Sequence, residues 1–207
     1  MADHGMNAGP TPVQTQLLPV LPLREVCLFP RASLATIAAT IPALKALEVG
    51  FRTGGRVLAL LQRDSDLSAW RDLYALGTVA QLGEDLALPD ASHRIELDGL
   101  QRARVVTLLV SDVMLAEVET VEEDDGGEYW GAAVEALARY MHAHAELRGF
   151  LEQQRRSAEP MSWVNLACQH LPITASARQK LLESDAGDRC MRIARGLDAL
   201  LRKEQGG

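Results

Sequence analysis

Aromatic side chains are scarce in this sequence: 4% of its 207 residues are Phe, Tyr or Trp. A core of large rings is excluded, and Leu, Val, Ile and Ala must build it. The three cysteines, Cys27, Cys168 and Cys190, are odd in number and far apart. They do not make a disulfide framework, and a reducing compartment suits them. Positive charge is not in excess. The formal net charge is −7 and both halves of the chain are acidic, so the general electrostatic attraction used in phosphate-backbone binding is missing. No apolar run is long enough to span a bilayer. The opening MADHGMNAGPTPVQTQ has neither the basic start nor the apolar run of a secretory signal, and Ala2 stands where myristoylation needs glycine. These absences lead us to expect a cytoplasmic protein with no membrane contact. No G-x-x-x-x-G-K-[ST] phosphate loop occurs either, so no nucleotide-driven motor is expected.

What is present divides the chain by period. Residues 1–16 are small and polar, with two prolines, and read as a disordered tail. LLPVLPLREVCLFP alternates short apolar pieces with prolines, which suits entering or edge strands rather than a helix. ASLATIAA predicts a strand. Pro42 fits a first helical turn, Leu44, Leu47 and Phe51 recur at helical spacing, and Gly54–Gly55 supplies the stop. RVLALLQ is a fully apolar strand, and RDSDLSAWRD a polar loop. PDAS predicts the turn of a hairpin within LALPDASHRIEL, and Asp98–Gly99 a sharp turn or bulge in the following β segment. DVMLAEVETV gives one more strand, with Val113, Leu115 and Val121 as its apolar positions. Residues 17–121 therefore predict a small, closed or nearly closed β-barrel with one embedded helix.

An acidic linker at 122–127 ends that region, and the period then switches to 3.6. Trp130, Val134, Leu137, Ala138, Met141 and Ala145 predict one helical face. Pro160 opens a second helix that Leu171–Pro172 closes. Thr174 is a cap for a third, and Cys190, Ile193, Ala194, Leu197 and Leu201 form the stripe of a last one. The fold class is thus α+β, with a helical part over 128–207.

Several blocks, in order, resemble the amino-terminal, substrate-recognising domain of Lon proteases, the S16 peptidase family. LPVLPLREVCLFP is similar to the family's opening strand, and IPALKALEVGF falls where the family has its first helix. DLYALGTVAQL resembles its Asp-Leu-Tyr and Gly-Thr-Val, LALPDASHRIELDGLQRARV its hairpin, and LACQHLPITASARQKLLES its later Leu-Pro, cap and Leu-Leu-Glu. After Phe29–Pro30 the family usually continues with Gly-Met and later a proline; here the run is RASLATIAATIP. The resemblance implies a PUA-like β-barrel followed by a helical bundle, docking unfolded or tagged polypeptide, with a separate protease as a further candidate partner. It also implies a free-standing domain, since no motor and no peptidase follow before Gly207. We therefore expect no enzyme, no cofactor and no metal.

Other candidates have simpler readings. Ser176 and Lys180 share a helical face, so a Ser–Lys dyad can be drawn, yet nothing nearby suggests an oxyanion hole or a desolvated lysine. His142 and His144, two apart on a helix, point to different faces, and Cys168 and His170 lack the tight ligand pairing of a zinc site. The run 117–128, with seven carboxylates, reads as solvated and repelling. Trp70, flanked by Leu67 and Leu73 in a polar loop, is the candidate anchor for a protein partner; Trp130 and Trp163 fit helix faces and read as core. The competing function is an RNA-binding PUA-like module, against which the acidic balance and the few aromatics stand.

Overall fold

The computed structural model describes residues 15–63, 72–154 and 159–205. β1 (Thr15–Leu23) already begins at Thr15, and β2 (Ser33–Ala38) follows an irregular stretch through Phe29–Pro30. α1 (Ile41–Arg52) starts on a Thr40 cap, whose side chain accepts from the Ala43 amide, with Pro42 in its first turn. Gly54 and Gly55 end it at positive φ, 102° and 75°, where a Cβ would be strained. β3 (Arg56–Leu61), β4 (Leu76–Ala87), β5 (His93–Val110) and β6 (Met114–Val121) complete the strands. The expected hairpin turn is closed by Ser92, whose amide and hydroxyl both donate to Asp90.

The strands form one mixed sheet in the order β2-β5-β4-β3-β1-β6, and β5 also pairs with β6. The pairings β5–β4–β3–β1–β6 thus return to β5, with β2 attached outside that circuit along the first part of β5. β1 and β3 are parallel and the other pairs antiparallel. The register slips between Val79 and Ala80, leaving Leu100 as the extra residue of a bulge beside Gly99, where the sequence predicts it.

Among the described residues five helices follow: α2 (Tyr129–Ala143), α3 (Ala145–Gln154), α4 (Pro160–His170), α5 (Ala175–Glu183) and α6 (Ala186–Gln205). Thr174 caps α5 by accepting from the Ala177 amide. The α2 face differs from the expected one. Ala133, Ala136, Leu137, Tyr140 and Met141 are buried, whereas Ala138 and Ala145 are exposed. Alanines give a helix no strong orientation; the large residues do, and Tyr140 belongs among them because its ring stacks on His144. Trp130 and Trp163 are partly buried against the helical core.

Two buried clusters belong to the strands. One lies under α1, with Leu47, Val57, Ile95 and Leu97, and the other joins Val20, Leu58, Val79 and Val118. The third and largest holds the helices together and includes Cys27, Phe29, Ala32, Leu61 and Leu76 from the strand half. Sheet and helices therefore share one hydrophobic core across the acidic stretch. Buried amides join them further: Gln169 accepts from the Phe29 amide and donates to the Ser33 carbonyl, and Gln179 donates to the Leu76 carbonyl.

Candidate functional site

The anchor candidates divide. Leu67 and Trp70 lie outside the described residues. Leu73 is partly buried against the cluster of Leu18, Met114, Ala116 and Val118, and its backbone bridges to Gln62. Its neighbour Tyr74 lies under the Arg63 guanidinium at 4.5 Å.

A larger apolar surface lies on the β5–β6 hairpin, whose inner side packs on that same cluster. β6 buries Met114, Ala116 and Val118, so Leu115, one of the apolar positions named from the sequence, sits on the opposite face. Leu109 pairs with Leu115, and Leu17 of β1 sits diagonally beside it through Glu117. Val106 is the extra residue of a bulge between Val105 and Thr107. Leu17 is 56% exposed, Val106 53% and Leu109 48%, with Leu108 and Val110 also open. Sequence reading missed this surface because both arms of LLVSDVMLA, on either side of Ser111–Asp112, are runs of consecutive apolar residues, which leaves each strand's facing undetermined.

A second feature is a groove of 410 Å³ between the end of β1 and β2. Leu21 to Arg24 form one side and Ala35 to Thr40 the other. Its lining carries Arg24 and no carboxylate.

The catalytic and metal candidates are placed elsewhere. The Ser176 hydroxyl lies 3.2 Å from the Thr174 hydroxyl at the start of α5, and Lys180 is exposed. His142 is exposed, while the His144 Nδ1 faces the Tyr140 carbonyl at 2.9 Å. His170 meets the edge of the Phe150 ring, and burial, with Arg178 nearby, holds it below the usual histidine range. No group of three or more His, Cys, Asp or Glu among the described residues is arranged to hold a metal.

The acidic stretch is not solvated throughout. The Glu123 side chain is only 8% exposed and pairs with Arg189, which has no exposed surface, while Arg102 lies 3.9 Å away. Arg189 also donates to the Asn165 Oδ1 at 2.5 Å and to the carbonyls of Leu181 and Ser184. Arg102 donates to the carbonyls of Leu182, Ser184 and Glu122. Two guanidiniums thus satisfy the carbonyl end of α5, where the helix dipole is negative. The cluster is a structural joint between sheet and helices. Asp124 and Asp125 accept from the Gly126 and Gly127 amides.

All three cysteines are free and buried. Burial pushes the Cys27 and Cys168 thiols up to about 12 and Cys190 up to about 11. Thiolate is the reactive form. Native protein at pH 8 should therefore react only slowly with a thiol-exchange reagent and release three equivalents once unfolded by guanidinium. Prompt reaction of one thiol in the native state would contradict this burial.

The comparisons agree with the fold and define the family. A model of the ATP-dependent protease La (LON) substrate-binding domain matches residues 17–199. The chain is 31% identical over 185 residues to Lon protease from Xanthomonas oryzae pv. oryzae, covering 83% of this chain and 22% of that protein. It is 27% identical over 196 residues to Lon protease 1 from Thermus thermophilus, covering 89% and 24%. Among solved structures, the N-terminal domain of Mycobacterium avium complex Lon protease superposes with a TM-score of 0.73 at 15% identity, covering 88% of this chain and 98% of that one. The Lon N-terminal domain protein from Xanthomonas campestris gives 0.61 at 21% identity, with 86% and 96% covered. This chain belongs to the Lon substrate-binding domain family. It spans under a quarter of the length of those two curated Lon proteases. No described helix is long and apolar enough to cross a membrane.

Proposed function

We propose that this chain is a non-catalytic, cytoplasmic protein-binding module that takes unfolded or tagged polypeptide, with a separate protease as the acceptor. The observation that carries the reading is the exposed apolar strip of Leu17, Val106 and Leu109, continued by the half-buried Leu115, on a domain of the Lon substrate-binding family. Leu67 and Trp70 are proposed as a further part of the contact surface, and Leu73 as the residue that ties them to the hairpin. We read the returning strand circuit as a PUA-like β-barrel over 17–121, followed by a linker at 122–127 and a helical subdomain over 128–207. The matches to Lon proteases confined to their substrate-binding portion support an activity without ATP hydrolysis or peptide cleavage. Nothing in the comparisons supports the RNA-binding alternative.

Calorimetric titration with a reduced, unfolded model protein and, in parallel, with structured RNA separates the two. We expect polypeptide to bind with an affinity that changes little between low and high salt, because screening acts on exposed charges and not on apolar contact. RNA bound through its phosphates would instead weaken steeply with salt. Leu109→Ser and Trp70→Ala should each weaken polypeptide binding, a buried anchor contributing about 2 kcal/mol, or roughly thirtyfold. Tight RNA binding with no affinity for unfolded protein would defeat the proposal.

A further inference from the structure

We infer that β2 offers an open backbone edge on which an extended, apolar polypeptide segment is captured as an added strand. This deepens the polypeptide-binding reading and rests on it. β2 stands at the end of the strand order and pairs along Ser33–Ala38 with β5 alone among the described strands. The direction of its backbone groups follows from neighbouring bonds. The Ala32 carbonyl accepts from the Gly99 amide at 2.9 Å on the β5 side, whereas the next carbonyl, that of Ser33, accepts from Gln169 at 2.7 Å. Alternation then turns the N–H and C=O of Ala35 and Ile37 the same way as Ser33, away from β5.

Folded proteins usually blunt such an edge with charge, proline or a bulge. Here no charged residue and no proline occurs from Ala32 to Ile41, and the β2–β5 register runs without a shift. Ile37 and Ile41 leave 62% and 71% of their surface open beside it. The edge does not face open solvent. Across the groove lies the last part of β1, which pairs with β6 only up to Pro19 and with β3 from Val20 onward. The Leu23 carbonyl is turned to β3, where it accepts from the Gln62 amide at 2.8 Å, so alternation turns Pro22 to the groove. Proline has no N–H, which leaves β2 as the edge that both donates and accepts.

The groove selects the occupant. Its 410 Å³ is the size of a ligand pocket rather than of a domain interface. An isolated extended segment can enter between two walls, whereas the β2 edge of a second copy would bring its own facing β1 with it. The lining is mostly apolar, with Arg24 and no carboxylate to pair with lysine or arginine, so an apolar segment without basic residues fits. Main-chain hydrogen bonds would supply affinity without demanding one sequence, as strand addition does elsewhere. That suits a module taking many unfolded chains.

The test uses a fluorophore-labelled peptide of alternating valine and threonine, together with a reduced, unfolded model protein. Wild type should bind both, and the amides of Ala35 and Ile37 should gain hydrogen-exchange protection. Ala35→Pro removes an N–H that points into the groove and leaves the β5 ladder untouched; it should weaken peptide binding at least tenfold while unfolding like wild type. The same peptide N-methylated at alternate residues, added to wild type, should lose binding equally, which decides the matter if Ala35→Pro does not fold. Equal binding by N-methylated and plain peptide overturns strand addition while polypeptide binding stands. Absence of binding to peptide and unfolded protein alike overturns the functional reading itself. A wild-type dimer that Ala35→Pro converts to monomer would assign the edge to a second copy and overturn the inference.

Discussion

Glu123→Ala is expected to destabilise the fold by about 3–5 kcal/mol, the cost of breaking a buried ion pair by removing one partner. Its carboxylate sits between the guanidiniums of Arg102 and Arg189, both nearly sealed from solvent. An arginine cannot shed its proton to escape burial. Without Glu123, two positive charges remain against each other with backbone carbonyls as their main partners, and burial beside Arg189 already holds Arg102 below its usual range. Arg102 Nε, buried and without a hydrogen-bond partner, has no reserve acceptor. Urea unfolding is the measurement, and Arg192→Ala is the control. Arg192 pairs with Asp188 on the open face of α6, so its loss should change stability by less than about 0.5 kcal/mol. A Glu123→Ala effect no larger than that control would mean that the cluster is held by its carbonyls alone.

That cluster marks the limit of what could be read in the sequence. The acidic run looks like a solvated linker because its carboxylates are consecutive and no base is near in the chain. Arg102 and Arg189 reach Glu123 only through the tertiary fold, and a lone arginine in a strand or helix carries no local mark of its destination. Local signals, by contrast, were legible. Thr174 caps the helix that follows it, Pro42 and Pro160 lie in first turns, and Gly54–Gly55 ends α1. Each acts through bonds or backbone limits within a few residues. The candidate site was less legible. Met114-Leu115-Ala116 is apolar on both faces of a strand, so alternation could not show that Leu115 is the outward residue. The groove between β1 and β2 depends on where β6 stops pairing at Pro19, which is a property of register and not of composition.

Gly99→Ala should destabilise by roughly 3 kcal/mol, through overpacking against a part of the structure that cannot yield. A Cβ there would meet the Phe29 carbonyl oxygen at 2.1 Å and its carbon at 3.0 Å, both backbone atoms. The Phe29–Ala32 turn is fixed from two sides. The Arg31 amide donates to the Gly99 carbonyl at 2.7 Å, and the Gly99 amide donates to the Ala32 carbonyl at 2.9 Å. From the helices, Asn165 donates to the Pro30 carbonyl and Gln169 accepts from the Phe29 amide. The turn cannot move off Gly99 without releasing buried amides of α4, each costly to leave unpaired. Gly196→Ala in the same series should go the other way. Gly196 lies within α6, and a Cβ added there would have nothing within 4 Å, so alanine should stabilise by up to about 1 kcal/mol through helix propensity. Thermal unfolding reads both, at roughly 2–4 °C per kcal/mol for a chain of this size. Because β2 begins at Ser33, directly after the turn, Gly99→Ala should also displace the edge strand and weaken polypeptide binding, whereas Gly196→Ala should leave binding unchanged. A Gly99→Ala protein with wild-type stability would show that the turn can shift, and that the bulge does not hold β2 in place.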